Sequence, residues 1–179
     1  MMKMMKIVAL AFMLMGVFAA TARAGWDPAE EDRAKSAAES FKKTAPWLSR
    51  YFETAYAYAV FPEVFKGGFF ILGGGHGKGY VYEQAKLVAR SSVTQLNAGP
   101  QLGVQSFSEI IFFQGKGDFE KFQKENFEFN AQVTAVIVSA ALSTNSDYSN
   151  GVAVFVLPRA GIMAEATVGG QKFSYNPYR

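Results

Sequence analysis

The sequence contains no cysteine and only one histidine, His76. The absence of cysteine excludes disulfides, thiolate catalysis and metal sites built on cysteine. A single imidazole makes a poor metal site, and no cluster of carboxylates has the spacing of metal ligands. His76, a serine such as Ser91 and an acid would form a triad on paper, but no nucleophile-elbow sequence accompanies them. We therefore predict a protein that is not an enzyme, with no catalytic residue, no metal site and no cofactor.

The chain also lacks a strong excess of charge of either sign. Its formal net charge of +3 comes from 18 basic and 15 acidic residues. Lys3, Lys6 and Arg23 lie within the first 24 residues, and without them 15 residues of each sign remain. A sequence pI near 9.0 therefore does not indicate a nucleic-acid partner. Any attraction to an anionic surface must come from local basic patches.

The first 24 residues have the pattern of a signal peptide. A short basic segment at 1–6 precedes an uncharged apolar run at 7–20, and Ala22-Arg23-Ala24 supplies small residues at the cleavage positions. The apolar run is shorter than the roughly 20 residues of a membrane-spanning helix. We predict that residues 1–24 are cleaved before Gly25 and that 25–179 form a single domain. The protein would then be exported to the periplasm, to an envelope membrane surface or out of the cell.

Helices are predicted in the first third of that domain. Asp27 suits an N-cap, Pro28 suits the first helical position, and Glu30 completes a capping-box spacing with Asp27. Apolar residues then recur at three- and four-residue steps until Pro46 breaks the pattern. A second helix is predicted to continue from there until Pro62.

Strands dominate the remainder, because the apolar residues there recur with a period of two. We predict strands at about 69–74, 78–84, twice between 92 and 113, 127–138, 151–157, 161–168 and 172–175, with a short helix at 118–125. Between 104 and 113 the apolar face switches sides, which indicates a bulge or a strand buried on both faces. Strands without alternating helices predict an α+β fold, in which N-terminal helices pack on a mainly antiparallel β-sheet that is curved or barrel-like.

The stretch GGFFILGGGHGKGYVYE at 67–83 is rich in glycine. A Walker loop needs Ser or Thr after its Gly-Lys pair, but Gly79 follows Lys78 here. A dinucleotide fingerprint needs a helix afterwards, whereas a strand is predicted, so neither nucleotide motif fits. We predict a β-hairpin whose connection contains a set of structural glycines, which would permit positive φ or let another backbone or a ligand come close. These are Gly73, Gly74, Gly75, Gly77 and Gly79.

Several segments together resemble the SYLF domain, a family of lipid-binding modules with an FPEV…GG.GKG signature. They are AVFPEVFKGGF (59–69), GGHGKG (74–79), GPQLGVQS (99–106), EIIFF (109–113) and GIMAEA (161–166). The likeness covers nearly all of 25–179, although 84–93 lacks the family's run of tryptophan and proline. Eukaryotic members are associated with phosphoinositide membranes and actin. For an exported protein, the resemblance implies only the lipid-binding part of that activity.

Basic and aromatic residues lie close together in the helical region and just after it. Such a mixture suits the headgroup boundary of a bilayer, although Phe52 and Phe61 would equally suit the helix–sheet core. The candidate lipid-binding residues are Lys42, Lys43, Trp47, Arg50, Phe65 and Lys66, with Lys78 of the glycine stretch as a second candidate surface.

The leading hypothesis is an exported, non-enzymatic protein that binds a phospholipid membrane, preferably an anionic one, and neither nucleotide nor nucleic acid. An alternative is a structural or interaction protein of the cell envelope that binds a protein partner through its surface strands. A third is an enzyme acting on lipids or cell-wall material, for which the sequence offers no catalytic constellation.

Overall fold

A computed structural model describes residues 28–124, 127–129, 136–138, 147–165 and 168–178. The predicted signal peptide lies outside the described residues, as does the middle of the strand predicted at 127–138. Within the described ranges, helices precede a mainly antiparallel sheet, which confirms the predicted α+β fold.

The helical region begins with α1, Pro28–Thr44, followed by a 3₁₀ turn at Pro46–Leu48 and the short α2, Ser49–Thr54. Acidic residues occupy the first turn of α1 and lysines its last, as the helix dipole favours. Its apolar stripe is buried against the sheet and consists of Ala34, Ala37, Ala38 and Phe41.

The second helix is shorter than predicted. It ends at Thr54 rather than near Pro62, and the chain is already in a strand at Ala57. Ala59 and Val60 are fully buried there and pair with Ile111 and Ile110 of the neighbouring strand. Burial between two layers favours the extended conformation, so sheet packing overrides the helical spacing of the apolar residues.

Two very long strands form the centre of the sheet, β1 at Ala57–Glu83 and β2 at Lys86–Phe113. They pair antiparallel along their whole length, joined by the two residues Gln84 and Ala85. Both have positive φ, 47° and 64°, as a type I′ hairpin turn requires. The two strands predicted between 92 and 113 are therefore one strand.

The other strands lie along β2 and its neighbours. In chain order they are β3 Phe127–Phe129, β4 Val136–Ile137, β5 Val152–Glu165 and β6 Val168–Pro177. β5 pairs with the second half of β2 and β6 with its first half, while β3 pairs with β6 and β4 runs parallel to β5. The strands predicted at 151–157 and 161–168 merge into β5. The described strands do not close the sheet into a barrel, so the barrel-like alternative is wrong.

The sheet bends sharply where β1 and β2 reach their middle. Phe70 of β1 has a φ of 58°, and Gly99 and Gly103 of β2 have φ values of 135° and 126°. The second half of β1 then returns across its first half. A Cβ added at Gly75 would lie 2.8 Å from the Phe65 carbonyl oxygen.

This fold-back corrects the predicted glycine hairpin. Gly73, Gly74, Gly75, Gly77 and Gly79 all lie inside β1, paired with β2, and none of the five is among the residues with positive φ. They instead allow close approach of backbones. A Cβ at Gly77 would lie 2.8 Å from the Glu63 oxygen, and one at Gly73 would lie 2.9 Å from the Gly67 oxygen.

Two hydrophobic cores result, one on each face of the sheet. One contains Phe61, Ile111 and Phe113, with Phe119 and Phe122 from the helix α3 at Lys116–Gln123. The other lies under α1 and α2, and its strand residues include Val60, Ile110, Phe112 and Phe155. The end of β2 is therefore buried on both faces, and a register shift against β5 at Ser106/Phe107 accompanies it.

Candidate functional site

The bend of the sheet carries a group of exposed apolar side chains, here named the apolar tip. Each is 62–72% exposed, and they make up eight of the ten large hydrophobic residues that are exposed in the described part of the chain. At about 150–250 Å² per aromatic side chain, the three phenylalanines alone expose roughly 300–500 Å². Monomers rarely leave so large an apolar patch without a binding role. The tip comprises Phe65, Phe69, Phe70, Ile71, Leu72, Leu96, Leu102 and Val104.

The tip is continuous across the two strands. Phe69 lies opposite Leu102, and Val104 lies two residues from Leu102 on the same face. The rings of Phe69 and Phe70 are 4.2 Å apart between centroids. Beyond the bend, Leu72 lies opposite Ala98 and Leu96 follows two residues away. The pairing of β1 with β2 brings the tip residues of 65–72 next to those of 96–104.

The charged residues of β1 and β2 around the tip are basic, whereas the neighbouring strand β5 places Glu165 opposite Gln101. Residues 64–82 and 84–108 contain no aspartate or glutamate, but they include Lys66 and Lys78. The Lys66 Nζ lies 3.1 Å from the side-chain oxygen of Asn97 when that amide is oriented to satisfy both of its ends. The bend is therefore apolar at its apex and cationic behind it. This arrangement matches a bilayer, because the apex could enter the acyl region while the lysines meet the headgroups.

A polar cleft of about 510 Å³ lies between α1 and β1, next to the tip. The Lys78 Nζ is 3.4 Å and the Arg33 guanidinium 3.8 Å from a Glu30 oxygen. Tyr80 lies 3.5 Å from the other Glu30 oxygen, and burial together with that carboxylate raises the pKa of Tyr80 to about 12. The cleft is lined by Glu30, Arg33, Ser36, Ala37, Ser40, Pro62, Glu63, Phe65, His76, Gly77, Lys78, Tyr80 and Arg159.

A second cavity of about 550 Å³, here named the glycine pocket, opens beside the tip. Glycines and other small residues form much of its wall, with Phe65 and Val104 at its edges. It shares Phe65 and His76 with the polar cleft, so the two cavities adjoin. Its lining is Phe65, Lys66, Gly67, Gly74, Gly75, His76, Val104, Gln105, Ser106, Ala160 and Gly161.

The predicted lipid-binding residues of the helices have structural contacts of their own. Lys42 pairs with Glu39 at 2.9 Å and lies 4.6 Å above the Phe52 ring. Trp47 is partly buried, with its ring centroid 5.5 Å from that of Phe155.

Arg50 donates to the Tyr51 hydroxyl at 3.2 Å, while Lys43 is exposed. The helix residues therefore pack on or beside the core under the helices, and only Lys43 is exposed without a described contact to that core.

The remaining predicted residues lie elsewhere, so the structure divides the set in two. Phe65, Lys66 and Lys78 belong to β1 and line the two cavities by the bend. Phe52 of the helical group contacts Tyr58 with ring centroids 5.3 Å apart. Tyr58 precedes Phe65 by seven residues, about 23 Å along a strand. Lys42, Lys43 and Arg50 therefore lie on a different surface from Lys66 and Lys78.

Sequence reasoning missed the apolar tip, although its signal was visible. Phe69-Phe70-Ile71-Leu72 is a run of four apolar residues between glycines. A short apolar run is typical of a buried strand, and periodicity cannot show that it is exposed. The absence of aspartate and glutamate from 64–82 is the sequence feature that indicates a surface facing anionic material.

Sequence reasoning also missed a buried acid. Glu109 is fully buried, and its Oε2 accepts a hydrogen bond from the Gln171 amide at 3.0 Å while its Oε1 has no partner. Burial raises the pKa of Glu109 to about 7, an effect that the Gln171 bond opposes. The carboxyl lies inside the sheet rather than in either cavity.

Comparison of the chain with protein-family models and with curated proteins finds no match. The SYLF resemblance therefore stays a prediction. In the described part of the chain no helix is both long and apolar enough to cross a bilayer. Among the same residues no three histidine or acidic side chains come together as metal ligands would.

Proposed function

We propose that this chain is an exported, non-enzymatic protein that docks on anionic phospholipid membranes through the apolar tip. The observation that carries the proposal is the cluster of eight exposed hydrophobic side chains at a bend where β1 and β2 carry no acidic residue. Burying one such side chain is worth about 1.5–3 kcal/mol. Several inserted together would hold the protein at the boundary between headgroups and acyl chains.

Charge favours a membrane over a protein partner as the occupant. Lys66 and Lys78 lie behind the tip, and each cation near an anionic surface contributes about 1 kcal/mol. Phenylalanine, isoleucine and leucine at the apex match the acyl region, which offers no hydrogen-bonding groups. The helix surface with Lys42 and Lys43 is then not needed for docking, which revises the predicted contact surface within the lipid-binding hypothesis.

The test is sedimentation with vesicles of phosphatidylglycerol and phosphatidylcholine, at low and high salt. Wild type should bind, and the double variant Ile71→Ser/Leu72→Ser should bind at least about a hundredfold more weakly because two apolar side chains leave the bilayer. Ile137→Ser is the matched control, since Ile137 is 59% exposed on β4, away from the tip. The control should bind as wild type does.

The double variant Lys42→Ala/Lys43→Ala separates the tip from the helix surface, and we expect it to retain binding. If it loses binding while the tip variant keeps it, docking occurs through the helices and the proposal is wrong. If wild type does not bind anionic vesicles at all, the envelope-partner hypothesis replaces the lipid hypothesis.

A further inference from the structure

The glycine pocket and the polar cleft adjoin, and they differ in chemistry in the way that the two ends of a phospholipid differ. We propose that together they bind one phospholipid molecule whose headgroup carries both a phosphate and a primary ammonium. An acyl chain would occupy the glycine pocket and the headgroup the polar cleft. This inference rests on the proposed membrane docking, which would bring the cavities to the lipid.

The glycine pocket suits a hydrocarbon chain. Its volume of about 550 Å³ lies within the range of about 300–1,000 Å³ usual for small-molecule sites. Gly67, Gly74, Gly75 and Gly161 are among its lining residues, so backbone rather than polar side chains forms much of its wall. Phe65 and Val104 are both more than half exposed in the absence of a ligand, and an acyl chain between them would cover both.

The polar cleft suits a phosphate. Arg33, Lys78 and Arg159 line it and supply three basic side chains. The Arg159 guanidinium donates to the Pro62 carbonyl at 3.0 Å, and a guanidinium has five N–H donors, so that bond leaves donors for a second acceptor. Lys78 and Arg33 share one Glu30 oxygen, at 3.4 and 3.8 Å, and both side chains also line the cleft, where a phosphate would meet them.

The acids of the cleft select the headgroup. A site for phosphate alone would gain nothing from carboxylates, yet Glu30 and Glu63 both line this one. Glu63 is exposed at the mouth of the cleft, where its carboxylate can accept hydrogen bonds from an ammonium group. Three cations with two carboxylates match a phosphodiester joined to a primary amine, and they match an uncharged glycerol headgroup less well.

The shared residues join the two ends. Phe65 and His76 belong to both cavities, so a ligand that occupies both would contact these two side chains at its middle. His76 lines both the cavity that holds the cationic side chains and the one that holds the apolar wall, and its Nδ1 lies 3.4 Å from the Thr94 hydroxyl. That is the position at which the glycerol and ester groups of a phospholipid would lie.

The test is calorimetric titration with monomeric dihexanoyl-phosphatidylethanolamine, dihexanoyl-phosphatidylglycerol and free phosphoethanolamine. Wild type should bind the ethanolamine lipid at least tenfold more tightly than either of the others. Lys78→Ala should weaken that binding at least tenfold, while Lys86→Ala, at the distant β1–β2 turn, should not. Glu63→Gln should remove the preference for ethanolamine over glycerol.

Ala160→Phe should fill the glycine pocket from an exposed position on β5, with its melting temperature as the check on folding. We expect it to lose the lipid yet still to sediment with vesicles. Phosphoethanolamine binding equal to that of the lipid overturns the acyl-chain site. If wild type binds vesicles but no monomeric lipid, this inference is wrong and the docking proposal stands, whereas binding of the monomer without vesicle binding contradicts only the docking proposal.

Discussion

Glu109 is the residue whose replacement should change stability most clearly with pH. Its carboxyl is fully buried on β2 with a single hydrogen bond, from Gln171. A buried charge is costly, so the folded protein holds the proton until about pH 7, whereas the unfolded chain releases it near the ordinary value of 4.5. We expect Glu109→Gln to remove this difference, because a neutral amide fits the same site and its oxygen can accept the Gln171 bond.

Proton linkage gives the direction and the size of the change in unfolding free energy that Glu109→Gln should cause. Between about pH 4.5 and 7 the folded state binds the proton more tightly, so raising the pH destabilises wild type. At about 1.4 kcal/mol per pKa unit, the rise from 4.5 to about 7 corresponds to about 3 kcal/mol above pH 7 and to nothing below pH 4.5. The Gln variant should therefore gain about 3 kcal/mol relative to wild type between pH 4.5 and 8.

The assay is urea unfolding of the protein at half-unit steps from pH 4.5 to 8.5. It compares wild type with Glu109→Gln and with Glu53→Gln, which is the control because Glu53 is exposed. The control should follow the wild-type pH profile. A constant difference between Glu109→Gln and wild type across the whole range would refute the reasoning, because it would mean that Glu109 holds its proton to the same pH in both states.

Two further predictions concern the backbone. Gly77→Ala should destabilise the fold by about 1–3 kcal/mol, since the new Cβ would lie 2.8 Å from both the Glu63 oxygen and Val64 Cγ2. Gly117→Ala in α3, where nothing lies within 4 Å, should instead stabilise by about 0.5–1 kcal/mol. Equal effects in thermal unfolding would contradict the fold-back. Replacing Gln84-Ala85 with Asn-Gly should stabilise by about 1 kcal/mol in the same assay, because both positions have positive φ, and destabilisation would contradict the assigned turn.

The sequence predicts those elements whose signals are local. Asp27 and Pro28 mark the start of α1, alanines at helical spacing mark its buried face, and Phe119 with Phe122 marks α3. The lengths of β1 and β2 depend on pairing between distant residues, and the true turn at Gln84 and Ala85 has neither glycine nor asparagine to mark it. The sequence instead predicts the turn at the glycines of the fold-back, because positive φ and close packing of backbones both favour glycine.

The candidate site residues likewise divide into those that a local sequence signal predicts and those whose position depends on distant contacts. Phe65 and Lys66 follow from a local mixture of basic and aromatic residues and Lys78 from the glycine stretch, and each lines at least one of the two cavities. Trp47 has the same local signature, but it packs against Phe155, about 100 residues away in the sequence. Burial of that kind is decided by tertiary contacts, so composition alone could not separate the two groups.

The fold-back of β1 constrains the number of residues in the strand as well as the positions of its glycines. Gly73, Gly75 and Gly77 face residues 67, 65 and 63, respectively. The two halves of β1 are therefore in register about Phe70, with each pair of facing residues equally far from it in the sequence. Deleting one residue between Phe70 and Gly73 would rotate every later side chain to the opposite face of the strand. His76 and Lys78 would then be forced into a space that has no room for a methyl group. Substitutions at the exposed positions of β1 are therefore compatible with the bend. An insertion or a deletion would require a different arrangement of the whole bend.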